Sequence, residues 1–102
     1  MKRVQTRGVR SFFRIAAGTA RSQAATMVLR PGQATGGDDN VHPHSDQWLY
    51  VVSGSGTAIV DGETVELEPG ALLLVEAGET HEIRNGGREP LVTINVYTPP
   101  AY

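Results

Sequence analysis

Short apolar segments, separated by turn-forming residues about every ten positions, constrain the fold of this chain most strongly. Gly and Pro mark the boundaries, as in Pro31-Gly32, Asp61-Gly62, Gly70 and Asn85-Gly86-Gly87. The segments are rich in β-branched and aromatic residues, and Asp61-Gly62 is the usual signal for a two-residue hairpin turn. Few segments could carry a long helix. The pattern therefore predicts an all-β fold built as an antiparallel sandwich or barrel.

The predicted strands can be read directly from the sequence. "SFFRIAAG" and "SQAATMVLRPG" form two strands or one long bent strand, and Gly36 to Asn40 form a loop. The later strands are predicted in "QWLYVVSG", "GTAIVDGETVELEPG", "ALLLVEAGETHEIRNGG" and "PLVTINVYTPPAY".

The length of 102 residues and the apolar content of 39% suit one domain with a single core. We expect an N-terminal strand or arm over residues 1–21, which packs on a partner subunit. The barrel itself is predicted over residues 22–98 and a C-terminal tail over residues 99–102.

Charge and composition exclude several classes of protein. Residues 1–37 carry seven Lys and Arg and no acid, but these basic residues are spread out, which argues against nucleic-acid binding. No apolar run approaches the roughly 20 residues that span a bilayer, so we expect a cytoplasmic protein without a membrane segment. Cysteine is absent, which leaves His, carboxylate and amide groups as metal ligands.

Alternation along the segment from residue 47 predicts an apolar outer face. If Gln47 points into the barrel, Leu49 and Val51 point inward as well. The residues between them then face outward, and these are Trp48, Tyr50 and Val52. Three large apolar groups in water favour burial in a homodimer, worth several kcal/mol at roughly 25 cal/mol per Å². The alternative is that the N-terminal strand of the same chain covers this face.

Alternation in the last strand leaves two assignments open. Thr93, Asn95 and Tyr97 lie on one face, and Ile94 and Val96 lie on the other. If the polar set faces the barrel, Asn95 and Tyr97 can orient a substrate or an imidazole ligand. If the apolar set faces inward, they have no such role.

Two motifs contain all three histidines of the chain. The first comprises Gly36, His42-Pro43-His44, Gln47 and Gly54, and the second comprises Gly70, Gly78, His81 and Asn85. From Gly36 to Asn85 this order and spacing resemble the two motifs of the cupin superfamily. Gln47 replaces the family's glutamate, and Glu76 stands where the family has a proline. Asn85, before Gly86-Gly87, reads as a turn residue.

The resemblance implies a small single-domain cupin, an antiparallel jelly-roll β-barrel with a divalent metal ion such as Zn, Ni, Fe or Mn. Histidines at positions i and i+2 of a strand project from one face, and a third from a distant strand can close the coordination. The implied metal ligands are His42, His44, Gln47 and His81. An amide in place of a carboxylate brings no negative charge, which favours Lewis-acid work on a carbonyl or carboxylate.

A second register of the first motif stays open at this point. Only two residues separate His44 from Gln47, whereas the family has three or four. If His42 takes the place of the second histidine, the spacing fits and Asn40 takes the first ligand position. The ligands are then Asn40, His42, Gln47 and His81, and His44 lies outside the site.

The functional expectation is metal-dependent binding or conversion of a small polar metabolite by isomerase-, lyase- or dioxygenase-like chemistry. The alternatives are a non-catalytic barrel that binds a small ligand and a metal-free dimeric cupin. Fold-level likeness cannot choose between them, because one fold serves many reactions.

Overall fold

A computed structural model describes residues 1–37 and 41–102 in full, and only the backbone of residues 38–40. The described chain forms nine strands. They are β1 (Phe13–Gly18), β2 (Gln23–Leu29), β3 (Ala34–Val41), β4 (Asp46–Ser53), β5 (Gly56–Val60), β6 (Glu63–Leu67), β7 (Leu72–Val75), β8 (Thr80–Arg84) and β9 (Leu91–Thr98). The prediction of an all-β chain is confirmed.

The strands form two antiparallel sheets. Sheet A has five strands in the order β1-β2-β9-β4-β7, and sheet B has four in the order β3-β8-β5-β6. Neighbours such as β9 and β4 lie far apart in the chain, as expected for the crossed connections of a jelly roll. The predicted single-domain barrel is confirmed in this arrangement.

Two local predictions are decided by the strand pairing. The first two segments form two strands, since β1 and β2 pair antiparallel from Phe13↔Met27 to Gly18↔Gln23. The loop predicted from Gly36 to Asn40 is wrong, because β3 runs through it and Gly37 pairs with His81. The glycine-rich sequence suggested a turn, but backbone pairing with β8 makes this stretch part of sheet B, with a shift of register between Gly37 and Val41.

The barrel interior is polar at one end and apolar at the other. Strand pairing forms rows of interior side chains across β2, β9 and β4. In the row at the polar end, Gln23, Tyr97 and Gln47 lie side by side. Further along β2 and β4 the interior residues are apolar and join one core cluster, whereas β9 contributes the polar Asn95 and Thr93 before Leu91. The members of the cluster are Met27, Leu29, Leu49, Val51, Ala58, Leu67, Ile83 and Leu91.

The predicted alternation of β4 is confirmed. Gln47, Leu49 and Val51 are buried, whereas the three residues between them are exposed. In β9 the polar set faces inward, because Thr93, Asn95 and Tyr97 are all buried. This settles the assignment that the sequence left open.

The first residues of the chain lie over the outer face of sheet A. Residues 5–9 line a cavity of about 420 Å³ together with Val52, Val92 and Ile94, and Met1 and Lys2 line another of about 330 Å³. Trp48, Tyr50, Leu72 and Leu74 stay exposed, and none of them lines either cavity. The segment of the same chain thus reaches Val52 of β4 but leaves the rest of the apolar face on β4 and β7 open.

Among the residues described, no helix is long and apolar enough to cross a bilayer.

Two glycines differ in what their positions demand. Gly54, after β4, has φ +80°, and a Cβ there would lie 2.1 Å from the Pro90 carbonyl oxygen. Gly70 has φ +92° with nothing within 4 Å of the same position. Both positions have a left-handed backbone, which favours glycine, but only at Gly54 would a Cβ also collide with a neighbouring atom.

We expect Gly54→Ala to destabilise the protein more than Gly70→Ala. The left-handed backbone costs each variant about 1–2 kcal/mol. Gly54→Ala also pushes the chain away from Pro90, so its total loss should reach about 3 kcal/mol or more. Urea unfolding of both variants measures the difference, and equal losses would contradict the role given to close packing at Gly54.

Candidate metal and ligand site

Hydrogen bonds between two distant loops bring the two histidine motifs together. Gly78 N–H, in the turn before β8, donates to the His42 carbonyl at 2.9 Å. Ala77 N–H donates to Asp46 Oδ1, also at 2.9 Å. Gly78 has φ +87°, a conformation that glycine adopts without steric cost. The turn of the second motif therefore holds the segment that carries the first.

His42 and His81 meet at the polar end of the barrel. Their ring centroids are 5.0 Å apart with an interplanar angle of 40°. His81 points inward from β8 and is only 4% exposed, whereas His42, after β3, is partly exposed. The two imidazoles thus come from two segments of the chain, as predicted.

Gln47 lies at the same end, buried on β4. Its Nε2 donates to Asn95 Oδ1 at 2.9 Å. Its Oε1 is buried, and no hydrogen-bond donor reaches it from the described part of the chain. A buried acceptor without a donor is costly, so this oxygen suits a cation or a ligand with a proton to donate.

Aromatic rings surround His42. Its ring centroid is 5.3 Å from that of Tyr97 and 5.5 Å from that of Tyr102. Tyr102 also packs on Phe13 at 4.8 Å, and Tyr97 and Tyr102 share a hydrogen bond between their side chains. Together these rings form an apolar wall beside the imidazoles.

Gln23 holds the last residues of the sequence over this wall. Its Nε2 donates to the Tyr102 carbonyl at 2.8 Å, and its Oε1 accepts from Ala101 N–H and Tyr102 N–H. Pro100 and Ala101 then line a cavity of about 220 Å³, which His42 and His44 also line. The cavity gives the surface of the site a small concave opening.

Burial favours the neutral form of three ionisable groups at the site. Desolvation lowers the pKa of His42. Desolvation also lowers the pKa of His81, the nearby His42 lowers it further, and a hydrogen bond with the Glu79 backbone opposes the change. Burial raises the pKa of Tyr97 well above its usual value. Neutral imidazoles are the form that binds a metal ion.

The predicted ligands do not all converge. His42 and His81 are in contact, Gln47 lies in the interior row next to Tyr97, and His44 is exposed on the surface. Among the described side chains, no group of three or more His, Asp or Glu residues is arranged to hold a metal ion. The alternative ligand Asn40 lies outside the residues whose side chains are described. Two imidazoles and an unpartnered amide oxygen fit a divalent ion, and the remaining ligand stays a prediction.

Asn85 has a structural role, as its position before two glycines predicted. Its Nδ2 donates to the carbonyls of Leu29 and Glu89, and its Oδ1 accepts from Gly87 N–H. These bonds hold the turn between β8 and β9.

Sequence reasoning missed the aromatic wall. Phe13 and Tyr102 lie far apart in the sequence, and no periodicity connects them to the histidine motifs. Gln23 was overlooked too, although alternation in β2 places it on the inner face with Ala25 and Met27. The only usable signal was that polar position at the start of an otherwise apolar strand.

A family model described as "Cupin domain" matches residues 25–97. The protein of Streptomyces glaucescens named "Tetracenomycin polyketide synthase protein TcmJ" is 37% identical over 75 residues, which are 74% of this chain. The chain spans about half the length of that relative, since the match covers 49% of it.

Two solved structures share this fold. A Bacillus halodurans protein superposes with a TM-score of 0.88 at 28% identity, covering 95% of this chain and 76% of its own. A Thermotoga maritima protein named a predicted oxalate decarboxylase superposes with a TM-score of 0.70 at 27% identity. That match covers 76% of this chain and 66% of the other.

The lowered histidine pKa values predict that the metal-free protein loses stability in acid. As the pH falls below 6.5, His42 and His81 bind protons in the unfolded chain but remain neutral in the folded chain. The free energy of unfolding therefore falls. The loss should continue until the pH passes below the folded pKa values. Urea unfolding in EDTA from pH 8 to pH 5 measures it.

His81→Gln should flatten this pH dependence, because the variant removes one of the two imidazoles whose pKa is lowered. His44→Gln, which removes an exposed imidazole, serves as the matched control and should leave the slope unchanged. A wild-type stability that rises from pH 7 to pH 5 would contradict the prediction.

Proposed function

Because this chain belongs to the cupin family, we propose that its barrel binds a divalent metal ion through His42, Gln47 and His81 and holds a small oxygen-bearing metabolite beside it. The contact between His42 and His81 carries this proposal. Two neutral imidazoles from different segments of the chain, beside a buried amide oxygen that lacks a donor, form a donor set suited to Zn, Ni, Fe or Mn.

The fourth protein ligand is proposed to be His44, which lines the same surface cavity as His42. His44 is exposed on the connecting segment after β3, so its imidazole would have to turn toward His42 in order to bind the ion. The competing ligand is Asn40. The two registers differ in their dependence on His44, and this difference can be measured.

The charge of the donor set limits the chemistry. Imidazoles and an amide are all neutral, so a divalent ion would keep its full charge and act as a Lewis acid on a carbonyl or carboxylate oxygen. The chain's own residues bind and orient the ligand. Tyr97 keeps its proton because burial raises its pKa, so its hydroxyl can donate a hydrogen bond to such an oxygen.

The relatives support an oxygen-bearing ligand. One has a name that associates it with a polyketide synthase, and one solved neighbour is named a predicted oxalate decarboxylase. Polyketides and oxalate both carry carbonyl or carboxylate oxygens. We therefore propose isomerase-, lyase- or dioxygenase-like chemistry on a small metabolite of this kind. Stoichiometric metal and ligand binding without turnover would instead establish the alternative, a non-catalytic binding barrel.

We expect His42→Ala and His81→Ala each to weaken Zn²⁺ binding by more than about 100-fold. Even outer partners of metal ligands typically cost about 10–100-fold when removed, and a direct ligand should cost more. Competition with a chromogenic chelator, on protein purified without an affinity tag, measures the affinity. Wild-type protein that binds no Zn²⁺, Ni²⁺ or Mn²⁺ would overturn the proposed function.

His44→Ala distinguishes the two registers in the same assay. A loss as large as that of His42→Ala assigns His44 as a ligand, and a loss below about tenfold assigns the position to the segment before His42. Circular dichroism of each variant provides the control for folding.

We also propose that a second copy of this chain covers the part of the outer face that residues 1–10 leave open. Cross-strand pairs Trp48↔Leu74 and Tyr50↔Leu72 make one continuous apolar patch on β4 and β7. These side chains expose several hundred Å², and burying them at roughly 25 cal/mol per Å² is worth several kcal/mol. Packing of the N-terminal arm on the partner stays a prediction.

Trp48→Glu should convert the dimer to a monomer, since it places a charge in the centre of the patch. Val41→Glu is the matched control, because Val41 is similarly exposed, 37% against 41%, but belongs to the β3 edge of sheet B. Sedimentation velocity measures the masses. A wild-type monomer at micromolar concentration would contradict the proposed pairing.

A further inference from the structure

A chain of three buried hydrogen bonds begins at Gln47 and ends on the backbone of β2. Gln47 Nε2 donates to Asn95 Oδ1 at 2.9 Å, and Asn95 Nδ2 donates to Thr93 Oγ1 at 3.0 Å. Thr93 Oγ1 then donates to the Met27 carbonyl at 3.0 Å. All three side chains are buried, with at most 3% of their surface exposed.

We call this chain of hydrogen bonds the relay. Its last acceptor, the Met27 carbonyl, determines which group donates and which accepts in each bond. The Met27 carbonyl can only accept, so the single hydroxyl proton of Thr93 is committed to it. Thr93 Oγ1 must then accept from Asn95, which can donate only through Nδ2. Asn95 Oδ1 is left facing Gln47, and Gln47 must donate to it.

We infer that Thr93 and Asn95 are positioning residues that force Gln47 to present its carbonyl oxygen, and not its NH₂ group, to the site beside His42 and His81. This inference rests on the proposed function, because it specifies which atom of Gln47 meets the metal ion. A reversed amide would direct two N–H donors at a cation and repel it. The relay therefore selects a cation or a proton donor at this position and rejects a ligand that can only accept.

The relay also gives a reason for an amide at position 47. A glutamate carboxylate there would direct an acceptor oxygen at Asn95 Oδ1, since Asn95 cannot turn without leaving Thr93 Oγ1 without its donor. Two facing acceptors in a buried site are unfavourable. The departure of Gln47 from the family's glutamate is thus matched by Asn95 and Thr93 on the neighbouring strand.

Thr93→Val tests the relay, because valine has the shape of threonine but lacks the hydroxyl group. Asn95 can then rotate, and Gln47 is free to turn its NH₂ group toward the site. We expect Zn²⁺ affinity to fall by about 10–100-fold, the usual effect of removing an outer partner of a metal ligand. Thr93→Ser keeps the hydroxyl and should restore the affinity.

Thr26→Val is the matched control. Thr26 is also buried, with 3% exposure, and it lies on β2 outside the relay. The substitution removes a buried hydroxyl from the same sheet and should leave Zn²⁺ affinity within about twofold of wild type. Urea unfolding of each variant verifies that affinity is measured on folded protein.

Nuclear magnetic resonance of the metal-free protein gives a second readout. In wild type the side-chain NH₂ protons of Gln47 should exchange slowly with water, because they are buried and one is bonded to Asn95. Thr93→Val should accelerate this exchange, and Thr26→Val should not. An unchanged exchange rate in Thr93→Val would overturn the inference, whether or not the protein binds a metal ion.

The two proposals fail in different ways. Wild-type protein that binds no metal overturns the proposed function, while faster Gln47 exchange in Thr93→Val would still support the relay. If wild type and Thr93→Val bind Zn²⁺ with the same affinity, the inference about the relay is wrong and the proposed metal site is unaffected.

Discussion

The register between β2, β9 and β4 is the constraint on which the rest of this structure depends. It aligns Gln23, Tyr97 and Gln47 in one interior row, and in the rows that follow it places apolar residues of β2 and β4 beside the polar Asn95 and Thr93 of β9. A shift of one residue would move every one of these side chains to the other face. The apolar residues stabilise the barrel, and the polar row provides its functional end.

Polar groups inside a barrel must be satisfied, and here most are satisfied by one another. Gln23 bonds to the backbone of residues 101 and 102, while Asn95 and Thr93 continue the bonds of Gln47 to the Met27 carbonyl. Gln47 Oε1 is an exception among the described residues, since it is buried without a donor at the end where the imidazoles meet. A buried acceptor without a donor lowers the stability of the protein unless a bound ligand satisfies it. Such an atom is typical of a functional position.

The histidines show how tertiary structure changes the meaning of a motif. Alternation alone would place His42 and His44 on one face of a strand. β3 ends at Val41, however, so the two histidines lie in a connecting segment where alternation does not apply. The hydrogen bond from Gly78 then orients His42 toward His81, and His44 remains at the surface.

The sequence by itself determined the all-β architecture, the inward face of β4 and the pairing of two histidine motifs. Each of these follows from local information, namely turn residues, alternation and motif spacing. Tertiary structure alone decided that the polar face of β9 points inward, that β3 runs through a glycine-rich stretch, and that Phe13 and Tyr102 stand beside His42. These outcomes depend on contacts between residues far apart in the chain, whose free energies no local pattern contains.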